Sequence, residues 1–314
     1  MKLKDLISQY VAFRKSMGGD FDSAASLLNT FCNRMGVGID LADIRTERVE
    51  EFLAGTGLNS YWRRKYDTLR GFYRYAISRG FVRQAPLPVT VPKLPQRFVP
   101  YIYNADELQR LINPTAPDRI GFRKLEPHTL RAILLLLYGA GLRIREAVAL
   151  TIDDVDLQDA VITIRDTKFH KTRLVPIGLR LNQAMAQYAA QRKAAGHSQN
   201  GDAPFFVLRR GKPLSVQIVQ KAFARLRRSA AVGRADGARY QPRLHDMRHS
   251  HAVHRLTSWY EQGADVQKLL PYLSTYLGHV NIAATQVYLT MTPELLRAAS
   301  LRFERYALRE SHHD

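Results

Sequence analysis

The sequence predicts a mainly α fold with one small β-sheet, divided into a helical domain over residues 1–83 and an α+β domain over 101–314. Three observations carry this. Residues 1–83 read as helices only, with apolar positions recurring at helical spacing. The segment 84–100, QAPLPVTVPKLPQRFVP, holds Pro86, Pro88, Pro92, Pro95 and Pro100. Proline fixes φ and removes backbone donors, so an extended, semi-stiff connector is expected there. Beyond it, two alternating runs, Ala160–Thr167 and Arg173–Ile177, predict a β-hairpin turning through Lys168–Lys171 among segments that otherwise read as helix. That turn has no glycine, which a tight hairpin usually requires.

In the first domain Leu6, Ile7, Tyr10 and Val11 share one helical face, and Leu27, Leu28 and Phe31 share another. The segment YWRRKYDTLRGFYRYAISRG repeats apolar residues at Trp62, Tyr66, Leu69, Phe72 and Tyr73, with Arg63, Arg64, Lys65, Arg70 and Arg74 between them. A solvated charged face would explain the cations; in so basic a chain a helix laid against a DNA backbone is the better reading. In the second domain Asn104 and Glu107 have the spacing of a capping box. Thr129–Leu137 reads as a buried helix ended by Gly139-Ala140-Gly141. Helices dominate after the hairpin, including Pro293–Leu308 with Leu295, Leu296, Ala299 and Phe303 on one side. That side is expected to dock on a neighbouring subunit or to fold back on its own core.

The formal net charge is +19. Excess charge of one sign opposes a compact state, so it implies a polyanionic partner. The basic residues are dispersed rather than gathered on one amphipathic helix, which favours nucleic acid over a membrane surface. Residues 1–100 hold 16 Lys or Arg against 9 Asp or Glu, and the remainder 31 against 19, so both domains are expected to touch it. The single cysteine, Cys32, excludes an internal disulfide and any multi-thiolate metal site, and reads as a small core residue in a reducing compartment. The start, MKLKDLISQY, lacks the apolar run of a signal peptide, and the apolar stretch Ala132–Tyr138 is too short to span a bilayer. A cytosolic, nucleoid-associated protein is expected.

Four basic segments carry the chemistry. In GAGLRIREAVAL, Arg143 follows a glycine break where a new helix begins, a natural seat for phosphate, and Glu146 shares its face. A surface Arg–Glu pair is the simpler reading of that motif alone. In LHDMRHSHA, His245 and Arg248 stand at i and i+3 on one helix face. A guanidinium binds two phosphate oxygens and a histidine shuttles a proton. A rival there is metal binding, since His245 and His249 have i,i+4 spacing beside Asp246; the sequence supplies no convincing further ligands. In LGHVNIAATQVYL, a continuous helix would part His279 from Tyr288 by about 13 Å. Gly278 permits a turn and Asn281 can cap a new helix at Ile282, which brings Tyr288 back. The fourth segment is the hairpin TKFHKTRLVPI around Lys168.

Order and spacing together resemble the catalytic boxes of the tyrosine recombinase (phage integrase) family over roughly residues 101–295. Residues 1–83 are more weakly similar to that family's helical, SAM-like core-binding domain. The family pattern falls on Arg143, Lys168, His245, Arg248, His279 and Tyr288, all present in order. The hairpin box departs from the family's Gly-Lys-Gly-x-Lys-x-Arg; counting back from Arg173 favours Lys168, with Lys171 the alternative.

The resemblance implies that Tyr288 attacks a DNA phosphorus, forming a 3′-phosphotyrosine and releasing a 5′-hydroxyl, with neither ATP nor a metal or other cofactor required. Arg143, Arg248 and His279 would stabilise the charge on the phosphate, His245 would take the phenolic proton, and Lys168 would protonate the departing oxygen. It also implies a homotetramer on two synapsed, specific sites in double-stranded DNA. The loose hairpin box favours a mobile-element enzyme over a chromosome-dimer resolvase. Two alternatives share the fold: a type IB topoisomerase-like nicking-closing enzyme, and a catalytically inactive DNA-binding regulator.

Overall fold

The computed structural model describes residues 1–18, 21–54, 59–93, 99–114, 124–167, 171–238, 240–279, 281–290 and 295–301. The chain divides into two compact units, Met1–Phe98 and Val99–Asp314, so the division falls inside the proline-rich connector.

The first unit is built on α1 (Leu3–Ser16), α2 (Asp22–Met35), α3 (Thr46–Ala54) and α4 (Ser60–Ser78). Leu6, Ile7 and Tyr10 of α1 and Leu27, Leu28 and Phe31 of α2 are buried in one core with Trp62, Tyr66, Leu69, Phe72 and Tyr73 of α4. Cys32 lies in the same core as a free thiol. The Asn59 side chain starts α4 by accepting the N–H groups of Tyr61 and Trp62 at 2.9 and 3.0 Å. Arg64, Arg70 and Arg74 are exposed, and Arg63 pairs with Asp67 at 3.0 Å. Lys65 departs from the expected basic face: it is 5% exposed and donates to the Phe52 carbonyl at 2.6 Å. The reason is its register. Lys65 stands three residues after Trp62 and four before Leu69, on the inward stripe, where its ammonium meets a carbonyl left unpaired near the end of α3.

The second unit opens with α5 (Ala105–Ile112), whose capping box is complete: Asn104 accepts from the Glu107 N–H at 2.9 Å, and Glu107 accepts from the Asn104 N–H at 3.0 Å. Next come α6 (Pro127–Gly139) and the short α7 (Ile144–Ala149). Strands β1 (Val155–Asp156), β2 (Val161–Thr167) and β3 (Lys171–Pro176) form an antiparallel sheet in that order, with Ile164 opposite Arg173. The chain continues through α8 (Leu179–Ala194), α9 (Val216–Ser229), α10 (Leu244–Glu261) and α11 (Val266–Leu277). It then forms α12 (Ala283–Gln286) and a 3₁₀ turn, Val287–Thr290.

Helix α6 is the centre of the larger core, with Ile133, Leu134, Leu136 and Leu137 buried and α8 and α10 packed on it. A second apolar cluster joins Ala252, Val253 and Leu256 of α10 to Leu270, Leu273 and Leu277 of α11, and takes in Tyr288 and Leu295. Residues 295–301 are helical. Leu295 is buried against this core while Leu296 is 49% exposed, so the two do not share a side as expected; neighbours on a helix diverge by roughly 100°. Phe303 lies outside the described residues. Among the described residues no helix is long and apolar enough to cross a membrane.

Candidate active site

The break after α6 sets the first arginine. Gly141 adopts φ +61°, and a Cβ there would lie 2.8 Å from both His251 and Leu277, so only glycine fits this turn. Arg143 follows as the residue preceding α7. Its guanidinium donates to Glu146 Oε1 at 2.8 Å and to the Gly278 carbonyl at 2.9 Å. Arg173 reaches the same carboxylate from β3, at 3.0 and 2.8 Å, and donates to the Tyr276 carbonyl at 3.2 Å. Burial pushes the Glu146 carboxyl up, but hydrogen bonds from Arg173 and Arg143 outweigh it and hold it at about 2. One permanently charged carboxylate therefore aligns two guanidiniums from separate elements.

Arg248, on α10, is 2% exposed and donates to the Gly141 carbonyl at 2.6 Å and to the Leu277 carbonyl. These carbonyls stand just beyond α6 and at the end of α11, where helices leave acceptors unpaired. Burial first, and Arg143 next, lower the guanidinium to about 10, so it remains cationic at neutral pH. Its carbonyl partners are neutral, which leaves its charge available to an anion.

The third part begins at Gly278, in the left-handed region at φ +66°, which ends α11 and turns the chain. His279 Nδ1 then lies 2.7 Å from the hydroxyl of the buried Thr285. Asn281 accepts the Ala284 N–H at 3.1 Å, and α12 starts at Ala283, one residue beyond the expected Ile282. Tyr288 follows on the 3₁₀ turn, with its ring centroid 6.1 Å from that of His279. It is 3% exposed, and its hydroxyl lies 3.0 Å from His249 Nδ1. Burial raises the phenol above its ordinary value, with Arg248 and Arg143 opposing but not reversing the shift. The histidines move the other way. Burial lowers all three histidines, with arginines next for His245 and His279 and the neighbouring His245 next for His249; His249 comes to about 3 and His279 to about 4, so all three are neutral at pH 7.

The structure thus draws Arg143, Glu146, His245, Arg248, His279 and Tyr288 together around the ends of α6 and α11. Lys168 lies outside the described residues, and of Lys171 only the backbone is described, as the first residue of β3. Two participants were not singled out from the sequence. Arg173 entered the sequence reading only as the residue from which Lys168 was counted back, and its contact with Glu146 left no local signal. His249 had been weighed only as a metal ligand. Its neighbour Asp246 is fully buried and committed to Arg243, accepting from the backbone N–H at 2.8 Å and from the guanidinium at 3.0 Å. Among the described residues no three His, Cys, Asp or Glu side chains are grouped to hold a metal ion.

Comparison with known proteins identifies the family. Residues 103–294 match the phage integrase family. The y4rE protein of Sinorhizobium fredii, which carries the name integrase/recombinase, is 35% identical over 301 residues, covering 96% of this chain and 95% of its own. The tyrosine recombinase XerC of Azotobacter vinelandii is 34% identical over 225 residues, covering 72% of this chain and 67% of its own. The Tn1549 transposon integrase, solved in complex with transposon right end DNA, has the same fold, with a TM-score of 0.70 at 18% identity over 98% of this chain and 100% of that one. By the length of the family match and the identity to its relatives, this chain belongs to the phage integrase family of tyrosine recombinases and is a site-specific DNA recombinase.

Proposed function

We propose that this recombinase cleaves and rejoins DNA through a 3′-phosphotyrosine bond made by Tyr288, within a homotetramer on two synapsed sites, and that it serves a mobile element. The observation that carries the chemistry is the place of the Tyr288 hydroxyl: it is bonded to an imidazole and lies within the field of Arg143 and Arg248.

The scissile phosphate sits against Arg143 and Arg248, whose planar forks bind its non-bridging oxygens. Glu146 and the carbonyls of Gly141, Leu277 and Gly278 hold both forks in place before DNA arrives, so little reorganisation accompanies charge development. His279, neutral and tied at Nδ1 to Thr285, donates from Nε2 to the same phosphate. The phenolic proton leaves through the histidines of α10, of which His245 is the exposed one. Lys168 protonates the departing 5′-oxygen. The new ester keeps the energy of the broken bond, so a 5′-hydroxyl of a partner strand reverses the step and exchanges strands without nucleotide hydrolysis. The exposed Arg64, Arg70 and Arg74 of α4, with Arg63, contact the DNA backbone.

Support for the mobile-element role comes from the match to y4rE along nearly the whole chain and from the fold shared with a transposon integrase. The test is direct. Tyr288→Phe is expected to bind DNA with unchanged affinity and to form no covalent protein–DNA adduct. An adduct in that variant removes Tyr288 from the mechanism. Sequencing the DNA ends trapped on Tyr288 in cells identifies the sites; ends scattered without sequence preference, together with relaxation of supercoils on arbitrary DNA, favour the nicking-closing alternative.

A further inference from the structure

The family resemblance assigns the phenolic proton to His245, yet the imidazole that touches Tyr288 belongs to its neighbour one helical turn on. His245 and His249 stand at i and i+4 on α10 with ring centroids 4.6 Å apart, edge to face. His249 in turn lies 5.5 Å from the Tyr288 ring, with Nδ1 3.0 Å from the hydroxyl. No hydrogen bond or ring contact joins His245 to Tyr288 directly among the described residues. The phenol carries one hydrogen, and in the tautomer with the imidazole proton on Nε2 the His249 Nδ1 is the acceptor within its reach.

We infer that His249 is a catalytic residue, its Nδ1 taking the proton of Tyr288 as the phenolic oxygen bonds to phosphorus, with His245 next in line. The inference rests on Tyr288 being the nucleophile. In the step the Tyr288 O–P bond forms and the P–O5′ bond breaks. The phenolic proton makes His249 an imidazolium, and the proton of Lys168 goes to the 5′-oxygen. On rejoining, the attacking 5′-hydroxyl returns its proton to Lys168, and the departing phenolate recovers its own from His249. Without DNA, burial first, then the neighbouring His245 and the arginines Arg243 and Arg248, keep His249 at about 3, too weak a base to strip a phenol. An entering phosphate brings the negative charge that favours the imidazolium, so the nucleophile stays protonated until DNA is seated.

The experiment uses the full chain and a nicked duplex carrying the site recovered from Tyr288-trapped ends. His249→Asn places an amide oxygen near Nδ1, which accepts the hydrogen bond but cannot hold the proton. Single-turnover adduct formation is expected to slow by about 100-fold or more, with DNA affinity and melting temperature unchanged. Replacing Tyr288 with a trifluorinated tyrosine, whose hydroxyl is far more acidic, is expected to restore most of the rate in that variant. A wild-type rate in His249→Asn overturns the inference, as does a loss that the fluorinated residue leaves uncorrected. Should the variant melt early, the solvent isotope effect on the wild-type rate decides. It is expected above one and abolished by the fluorinated residue, and its absence overturns the inference. If the wild-type chain forms no adduct at all, the nucleophile assignment fails instead.

Discussion

Arg248 and Tyr288 share one site and nearly the same burial, 2% and 3% exposed, but they are held in opposite ways. The arginine projects from an 18-residue helix and rests on backbone carbonyls at two other helix ends, while Arg143 and Arg173 are locked through Glu146. The tyrosine sits on a four-residue 3₁₀ turn after a four-residue helix, tied by its hydroxyl to His249. Short helical pieces have little intrinsic stability, so packing and this bond keep Tyr288 in place. In the proposed chemistry the charge-stabilising half of the site is preassembled, while the bond-making half rests on packing and one side-chain hydrogen bond. This ordering suits the proposed reaction, in which the phosphate cradle works in every step while Tyr288 alternates between free and esterified.

Removing a cradle member should have the largest effect. Arg248→Ala is expected to lower adduct formation about 1,000-fold, read in a single-turnover assay, because no other donor replaces it on the phosphate. A loss below 10-fold would show that Arg143 alone suffices. Glu146→Gln comes next. It leaves Arg143 and Arg173 without their anion, with an expected loss of about 3 kcal/mol in urea unfolding and a fall in cleavage rate, since the Arg143 fork loses alignment. Stability intact with activity lost would mean that Glu146 acts on DNA rather than on the cradle.

Acid tests both halves at once. His251, under Gly141, is lowered to about 4 by burial, and His249 and His279 beside Tyr288 are lowered as well. The folded imidazoles bind protons less readily than unfolded ones, whose ordinary value is about 6.5. Their stabilisation is therefore complete above about pH 6.5 and is lost as pH falls towards 4. Melting at pH 7.5 and pH 5 should show the drop, and His251→Gln should reduce it. An unchanged melting temperature contradicts the burial of these rings. The smallest effect is expected from Thr285→Val, which removes the hydroxyl that orients His279. Adduct formation should fall about tenfold or less with DNA affinity unchanged.

Much of this was legible in the sequence, for reasons that differ by residue. Glycine at 141 and 278, the i,i+3 pair of His245 and Arg248, and the Asn104–Glu107 cap are local signals, because backbone geometry ties residue type to position. The turn that returns Tyr288 towards His279 followed from Gly278 and Asn281 in the same way. Long-range partners were harder. The contact of His249 with Tyr288 spans 39 residues, and that of Arg173 with Glu146 spans 27, and no spacing rule reaches so far. Lys65 failed for another reason: charge alone placed it outside, whereas its register on α4 put it against a carbonyl that needed a cation. The two-residue strand β1 is too short to leave a periodic trace.

The carbonyls of Gly141, Leu277 and Gly278 carry one further consequence. They belong to the peptide chain itself, so an alanine scan leaves all three intact and assigns the cradle's rigidity to Glu146 alone. Amide-to-ester replacement at the following residues would weaken each oxygen as an acceptor without altering any side chain. The backbone's share of phosphate recognition would then be measurable by chemical synthesis.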